Sequence, residues 1–174
     1  AAGSKSTMHQ HPDAIVIQLT VAKVRFSLPD GTSQDVDMAK DSATYSAAGV
    51  HSPANIGTAT LGALLVEFKA AAAGTATLPT SRPGMTLKIL AEGAFGTAYH
   101  ATAAATFQEP AGSKHDFDQV IIALGPSKMP LAIDGKLVKT DWVRGESQFV
   151  GRGVPHESRN VSGKAVDFII VAIK

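Results

Sequence analysis

The stretch Gly49-Val50-His51-Ser52-Pro53-Ala54-Asn55 returns later in the chain as Gly153-Val154-Pro155-His156-Glu157-Ser158-Arg159-Asn160, and in both a histidine is followed four residues later by an asparagine. Working outward, the same displacement recurs. Asp13 to Leu19 lines up with Asp118 to Leu124, the Asp30-Gly31 turn with Asp134-Gly135, and Val66 to Lys69 with Val171 to Lys174. The offset is 104 for the Asp-Gly turn and 105 at the other places. A near-constant offset at separated positions is the signature of an internal duplication, so two copies of one unit are expected.

Within each copy, short runs of Val, Ile, Leu and Phe are bounded by Gly, Pro, Asp and Asn, the composition of strands and turns. Leu28-Pro29-Asp30-Gly31 supplies a turn, with a glycine free to take positive φ. The alanine run after Lys69 is the nearest approach to a helix, but Gly74, Thr75, Thr77, Pro79 and Pro83 follow it. The expected organisation is an N-terminal unit over residues 1–69, a linker over 70–85 and a C-terminal unit over 86–174. Thr86 to Phe107 adds strand material ahead of the second unit, where the first has only Ala1 to Met8. The first unit is therefore expected to lack its leading strands, and the exposed sheet edge this leaves predicts a homodimer. Because the sequence opens on Ala1 and not on Met, an upstream segment is expected to have been removed.

Composition excludes several chemistries. The 174 residues contain no cysteine, which removes disulfides, zinc-thiolate sites, iron–sulfur clusters and thiol nucleophiles. Sixteen Lys and Arg against fifteen Asp and Glu give a net charge of +1, with no basic cluster of the kind a nucleic acid or an anionic membrane surface requires. No apolar run approaches the ~18 residues of a spanning helix. A soluble protein is expected, with the cytoplasm slightly favoured. Nucleophile-elbow, P-loop and dinucleotide fingerprints are missing. Glu92 and Glu109 could be imagined as the carboxylate pair of a glycosidase, but sequence separation cannot set the ~5 to 9 Å gap that such a pair needs.

The histidines have repeat-related settings. The first unit carries Met8-His9-Gln10-His11-Pro12-Asp13 ahead of a hydrophobic strand, then His51 and Asn55. The second carries Ser113 and His115, then Gly145, Gly151, Gly153, Pro155, His156 and Asn160. Together these resemble the two motifs of the cupin superfamily: an HxH pair with a downstream Glu, and a glycine-rich turn leading to a His with Asn four residues on. The resemblance spans residues 8–69 and 86–174 and implies an all-β bicupin, two tandem double-stranded β-helix (jelly-roll) barrels. The fold hosts oxygenases, isomerases, lyases and non-catalytic binding proteins, so it does not select an activity.

The residue chemistry agrees with that resemblance. Positions i and i+2 of a strand share a face, so His9 and His11 can both enter a barrel, and His51 from another strand can complete three nitrogens around a divalent cation such as Fe, Mn, Ni, Cu or Zn. Ala14 and Ile15 occupy the places where the motif Glu is sought, and the role of Asp13 is open. The second unit offers a weaker set, His115, Gln119 and His156, because an amide is a poorer ligand than a carboxylate. Asn55 and Asn160 are read as turn-shaping residues, and His100 as either lining the second pocket or facing solvent. The leading functional reading is a small metal-binding bicupin acting on a small polar molecule as an oxygenase, isomerase or lyase. The alternative is a non-catalytic ligand-binding or structural cupin.

Overall fold

A computed structural model describes residues 1–69 and 74–174; Ala70 to Ala73, within the stretch expected as a linker, lie outside the described residues. Every regular element among the described residues is a β-strand. The chain divides into two compact units, Ala1–Ala71 and Ala72–Lys174.

The first unit contains β1 (His9–His11), β2 (Ala14–Gln18), β3 (Ala22–Ser27), β4 (Ser33–Met38), β5 (Ala43–Ser46), β6 (Gly49–Asn55) and β7 (Ala63–Glu67). They form two antiparallel sheets in the orders β1-β6-β3-β4 and β5-β2-β7. In β2, Ala14, Ile15 and Ile17 are fully buried. Among the described residues β7 pairs only with β2, and Leu65 on it is 56% exposed.

The second unit contains β8 (Met85–Glu92), β9 (Gly96–Ala103), β10 (Asp118–Ala123), β11 (Ser127–Ile133), β12 (Lys136–Trp142), β13 (Ser147–Val150), β14 (His156–Ser158) and β15 (Val166–Ile173). Its sheets run β13-β10-β15-β9-β8 and β12-β11-β14. The pairing logic is that of the first unit, since β10 lies between β13 and β15 as β2 lies between β5 and β7. β11 likewise lies between β12 and β14 as β3 lies between β4 and β6. The addition is β9 and β8 on the free side of β15.

That addition explains the difference in burial along two matching strands. β15 has partners on both sides and Phe168 to Ala172 are all buried, whereas no residue of β7 is. The core of the second unit is filled from both sheets by Ala103, Ala123, Met129, Leu131, Trp142, Val150 and Phe168. Trp142 meets Phe168 edge-on at 5.5 Å and donates its indole N–H to the Met129 carbonyl at 2.8 Å, so its one polar atom is satisfied. A smaller cluster of Tyr99, Phe117 and Ala172 is covered by Ala76, Leu78 and Leu87. Residues 76 and 78 of the expected linker thus pack on the second unit.

Turns obey local chemistry. Asp134 and Gly135 both take positive φ (52° and 72°) between β11 and β12, the requirement of a two-residue type I′ hairpin. Asn55 and Asn160 do the same work in their units: each side-chain oxygen accepts from the N–H two residues on (Gly57, 3.1 Å; Ser162, 2.9 Å). Each amide donates to the carbonyl four residues on (Ala59 and Lys164, both 2.8 Å). Asp13 accepts from the Tyr45 hydroxyl at 2.9 Å, so its part is structural.

Candidate metal centre

In the second unit, one carboxylate oxygen and two imidazole nitrogens, from Glu109, His115 and His156, lie within 4.8 Å of one another. Three different pieces of backbone bring them together. His156 opens β14, where its N–H donates to the Ser113 carbonyl (2.9 Å). His115 stands two residues beyond Ser113, and its carbonyl accepts from Gly153 (2.8 Å). Its ring lies flat on Phe117, with centroids 4.9 Å apart. Glu109 follows β9, and its N–H donates to the Ser158 carbonyl at 2.8 Å, on the strand that carries His156.

The histidine nitrogens facing the cluster carry lone pairs. His156 Nδ1 donates to the Val154 carbonyl at 3.0 Å, which leaves Nε2 as the acceptor pointing inward. His115 Nε2 accepts from Arg82 Nη2 at 2.7 Å, and the same Nη2 donates to Glu109 Oε1 at 2.5 Å. The two Nε2 atoms are each 3.6 Å from a Glu109 oxygen, so either imidazole, when protonated, becomes a counter-charge to it. Burial alone would raise the Glu109 carboxyl. The proximity of His115 and the positive charge of Arg82, joined by those of His156 and His115 when they are protonated, outweigh burial and hold the carboxyl below its ordinary value. The group is ionised at neutral pH.

Gln119, on β10, is 1% exposed and lies beside His156, with Nε2 to Nε2 3.4 Å. Its Oε1 is buried with no hydrogen-bond partner. The two ends of an amide are interchangeable by a flip of the group, which would turn the oxygen toward His156 and the cluster. Beneath Arg82 and Glu109, a cavity of about 20 Å³ is lined by Gln119, Met129 and Phe168, room for roughly one water. Glu109 also borders an open groove of about 570 Å³ with Pro130, Ala132, Ser158 and Arg159.

The first-unit histidines form a different cluster. β1 pairs with β6 so that His9 faces His51, the register in which Ser113 faces His156. Ring centroids of His9, His11 and His51 are 4.6 to 6.4 Å apart. His9 and His11 use Nδ1 on backbone carbonyls, of Thr7 (2.9 Å) and Pro12 (2.6 Å). Burial first, then the neighbouring His11 and His9, push the His51 pKa down. The register partner of Glu109 in this unit is Ser6, whose N–H donates to Pro53 as Glu109 does to Ser158. An exposed hydroxyl stands where the second unit has a buried carboxylate.

The sequence pattern named His115, Gln119 and His156 as candidates and did not name Glu109 or Arg82 with them. No local signal marks either: Glu109 is six residues before His115, outside the motif, and Arg82 lies in the stretch expected as a linker. His100, half-buried on β9, lies 3.9 Å from Asp167.

The sequence matches no protein-family model and no curated protein. The fold does match solved structures over the full chain at low identity. AerE from Microcystis aeruginosa aligns with TM-score 0.77 and 13% identity, covering 100% of this chain and 84% of the other. A cupin 2 conserved barrel domain protein from Leptotrichia buccalis gives 0.62 and 9%, covering 100% and 80%. A variant of salicylate 1,2-dioxygenase from Pseudoaminobacter salicylatoxidans gives 0.69 and 9%, covering 99% and 68%. The chain shares the cupin-type β-barrel fold of these structures. No helix among the described residues is long and apolar enough to cross a membrane.

Proposed function

We propose that this chain is a small metal-binding bicupin, built by duplication of a unit over residues 1–69 and 86–174, that acts on a small polar molecule. The observation that carries the reading is the convergence of Glu109, His115 and His156 within 4.8 Å. Two imidazoles and one carboxylate suit Fe, Mn, Ni, Cu or Zn and leave positions open for a substrate. The donor set fits such an ion: both Nε2 atoms present lone pairs, the carboxyl is ionised, and the orphaned Gln119 oxygen is an additional acceptor. A bound ion would supply Lewis acidity or, if redox-active, dioxygen activation. The chain's own residues bind and orient. Val154 fixes the His156 tautomer, Phe117 sets the plane of His115, and Ser158 ties Glu109 to the same strand. The groove beside Glu109 is of a size for a small ligand.

His9, His11 and His51 are proposed as a second site for the same class of ion, formed by neutral ligands alone. A homodimer pairing the free edge of β7 belongs to the same reading. A second reading, a non-catalytic ligand-binding cupin, is favoured by one observation: Arg82 already provides Glu109 and His115 with a cation.

The test is metal content by plasma mass spectrometry after reconstitution with each of the five ions. Wild type should hold up to two equivalents. Glu109→Ala or His156→Ala should each lose one, and His11→Ala the other. Wild type free of every ion, or an unchanged content in Glu109→Ala and His156→Ala, would refute the reading.

A further inference from the structure

We propose that Arg82 is the resident cation of the second-unit pocket, and that its guanidinium must leave before Glu109 and His115 can ligate a metal. This rests on the metal-binding reading above and concerns how the site is controlled. One nitrogen, Nη2, contacts both Glu109 Oε1 (2.5 Å) and His115 Nε2 (2.7 Å), atoms that are themselves 3.6 Å apart. Ligand bonds of ~2.0 to 2.2 Å to those two atoms would put an ion no more than about 3.1 Å from Nη2, against a like charge and in competition for the one lone pair of His115 Nε2. A guanidinium has no lone pair to offer the ion, so it cannot join the coordination sphere. The two occupants are mutually exclusive.

In the metal-free pocket Arg82 supplies the counter-charge to Glu109. The Arg82 side chain is 12% exposed and that of Glu109 9%, so the pair removes the cost of an uncompensated buried carboxylate. Arg82 can leave without dismantling the barrel. It precedes β8, its neighbours Ser81, Pro83 and Gly84 are exposed, and its backbone engages through the Met85 N–H donating to its carbonyl. The apparent affinity for metal is then the intrinsic affinity scaled by the fraction of molecules with Arg82 withdrawn.

The experiment uses the full chain carrying His11→Ala, which silences the first-unit site, with and without Arg82→Met or Arg82→Lys. Zn²⁺ and Mn²⁺ are titrated against a competing chelator, and melting is followed with and without metal. If Arg82 withdraws in about a tenth of molecules or fewer, Arg82→Met binds roughly tenfold tighter or better. Arg82→Lys, which keeps the charge, stays nearer the parent. Metal-free Arg82→Met melts below the parent, and Zn²⁺ raises its melting temperature by more. Binding by Arg82→Met where the parent binds nothing is the same result in its extreme form. Equal or weaker binding by Arg82→Met overturns the inference and leaves the metal reading standing, whereas absence of binding in every variant overturns both.

Discussion

The two units place histidines at the same register and surround them with opposite electrostatics. In the first, His9, His11 and His51 lie against one another, Phe26 and backbone carbonyls, and burial together with the neighbouring rings disfavours charge on His51. In the second, His115 and His156 share a buried carboxylate, and that carboxylate is matched by Arg82. Two units with matching strand order can therefore differ in the charge type of their pockets. The change lies at Ser6 and Glu109, positions that meet their strands through the same backbone hydrogen bond.

The largest effect should come from breaking the charge match. Glu109→Ala strands Arg82 near two imidazoles and is expected to cost about 3 kcal/mol of unfolding free energy in denaturant titrations. The exposed Ser6→Ala should stay within about 0.5 kcal/mol. Combining Glu109→Gln with Arg82→Met should recover most of the loss; additive losses would show that the pair is not a unit.

The asparagines test what the units share. Asn55→Ala and Asn160→Ala each remove the hydrogen bonds by which a buried asparagine holds a largely exposed turn, and should each cost about 1 kcal/mol. A difference larger than about 1 kcal/mol between them would mean the two turns are not equivalent in energy.

Acid should affect the units in sequence. The folded-state pKa of His51 lies below its ordinary value of 6.5, so the unfolded chain binds the proton first. That stability contribution is present above 6.5 and is lost as pH falls through the folded value. Glu109 is also depressed, from 4.5, and its contribution survives until pH falls below the ordinary carboxylate range. Melting temperature against pH should show a loss beginning near 6.5 that His51→Asn abolishes, and a second loss below about 4.5 that Glu109→Gln abolishes. A His51→Asn profile identical to wild type would remove the first-unit assignment.

The smallest effect on stability should be at the unpaired edge. Leu65→Ser on β7 is expected to change unfolding free energy by less than about 0.5 kcal/mol, because the side chain is already exposed. If β7 is the pairing edge, the same change should weaken self-association in light scattering.

The fold was legible because turn residues and short apolar runs are local signals that demand strands. Asp134-Gly135 is an example, as it dictates a hairpin whatever surrounds it. Among the candidate residues, His156 is marked by a local pattern it shares with His51, an asparagine four residues on. Glu109 and Arg82 are not, because each reaches the pocket from a segment whose local sequence encodes no site.

By itself, then, the sequence determined an all-β chain, since strand periodicity and turn chemistry depend on neighbours along the chain. Tertiary structure alone decided that the carboxylate of the second pocket is Glu109, and that Arg82 neutralises it. Buried charge is governed by distances across the barrel, 2.5 Å here between residues 82 and 109, and such distances are set by packing and not by separation along the chain.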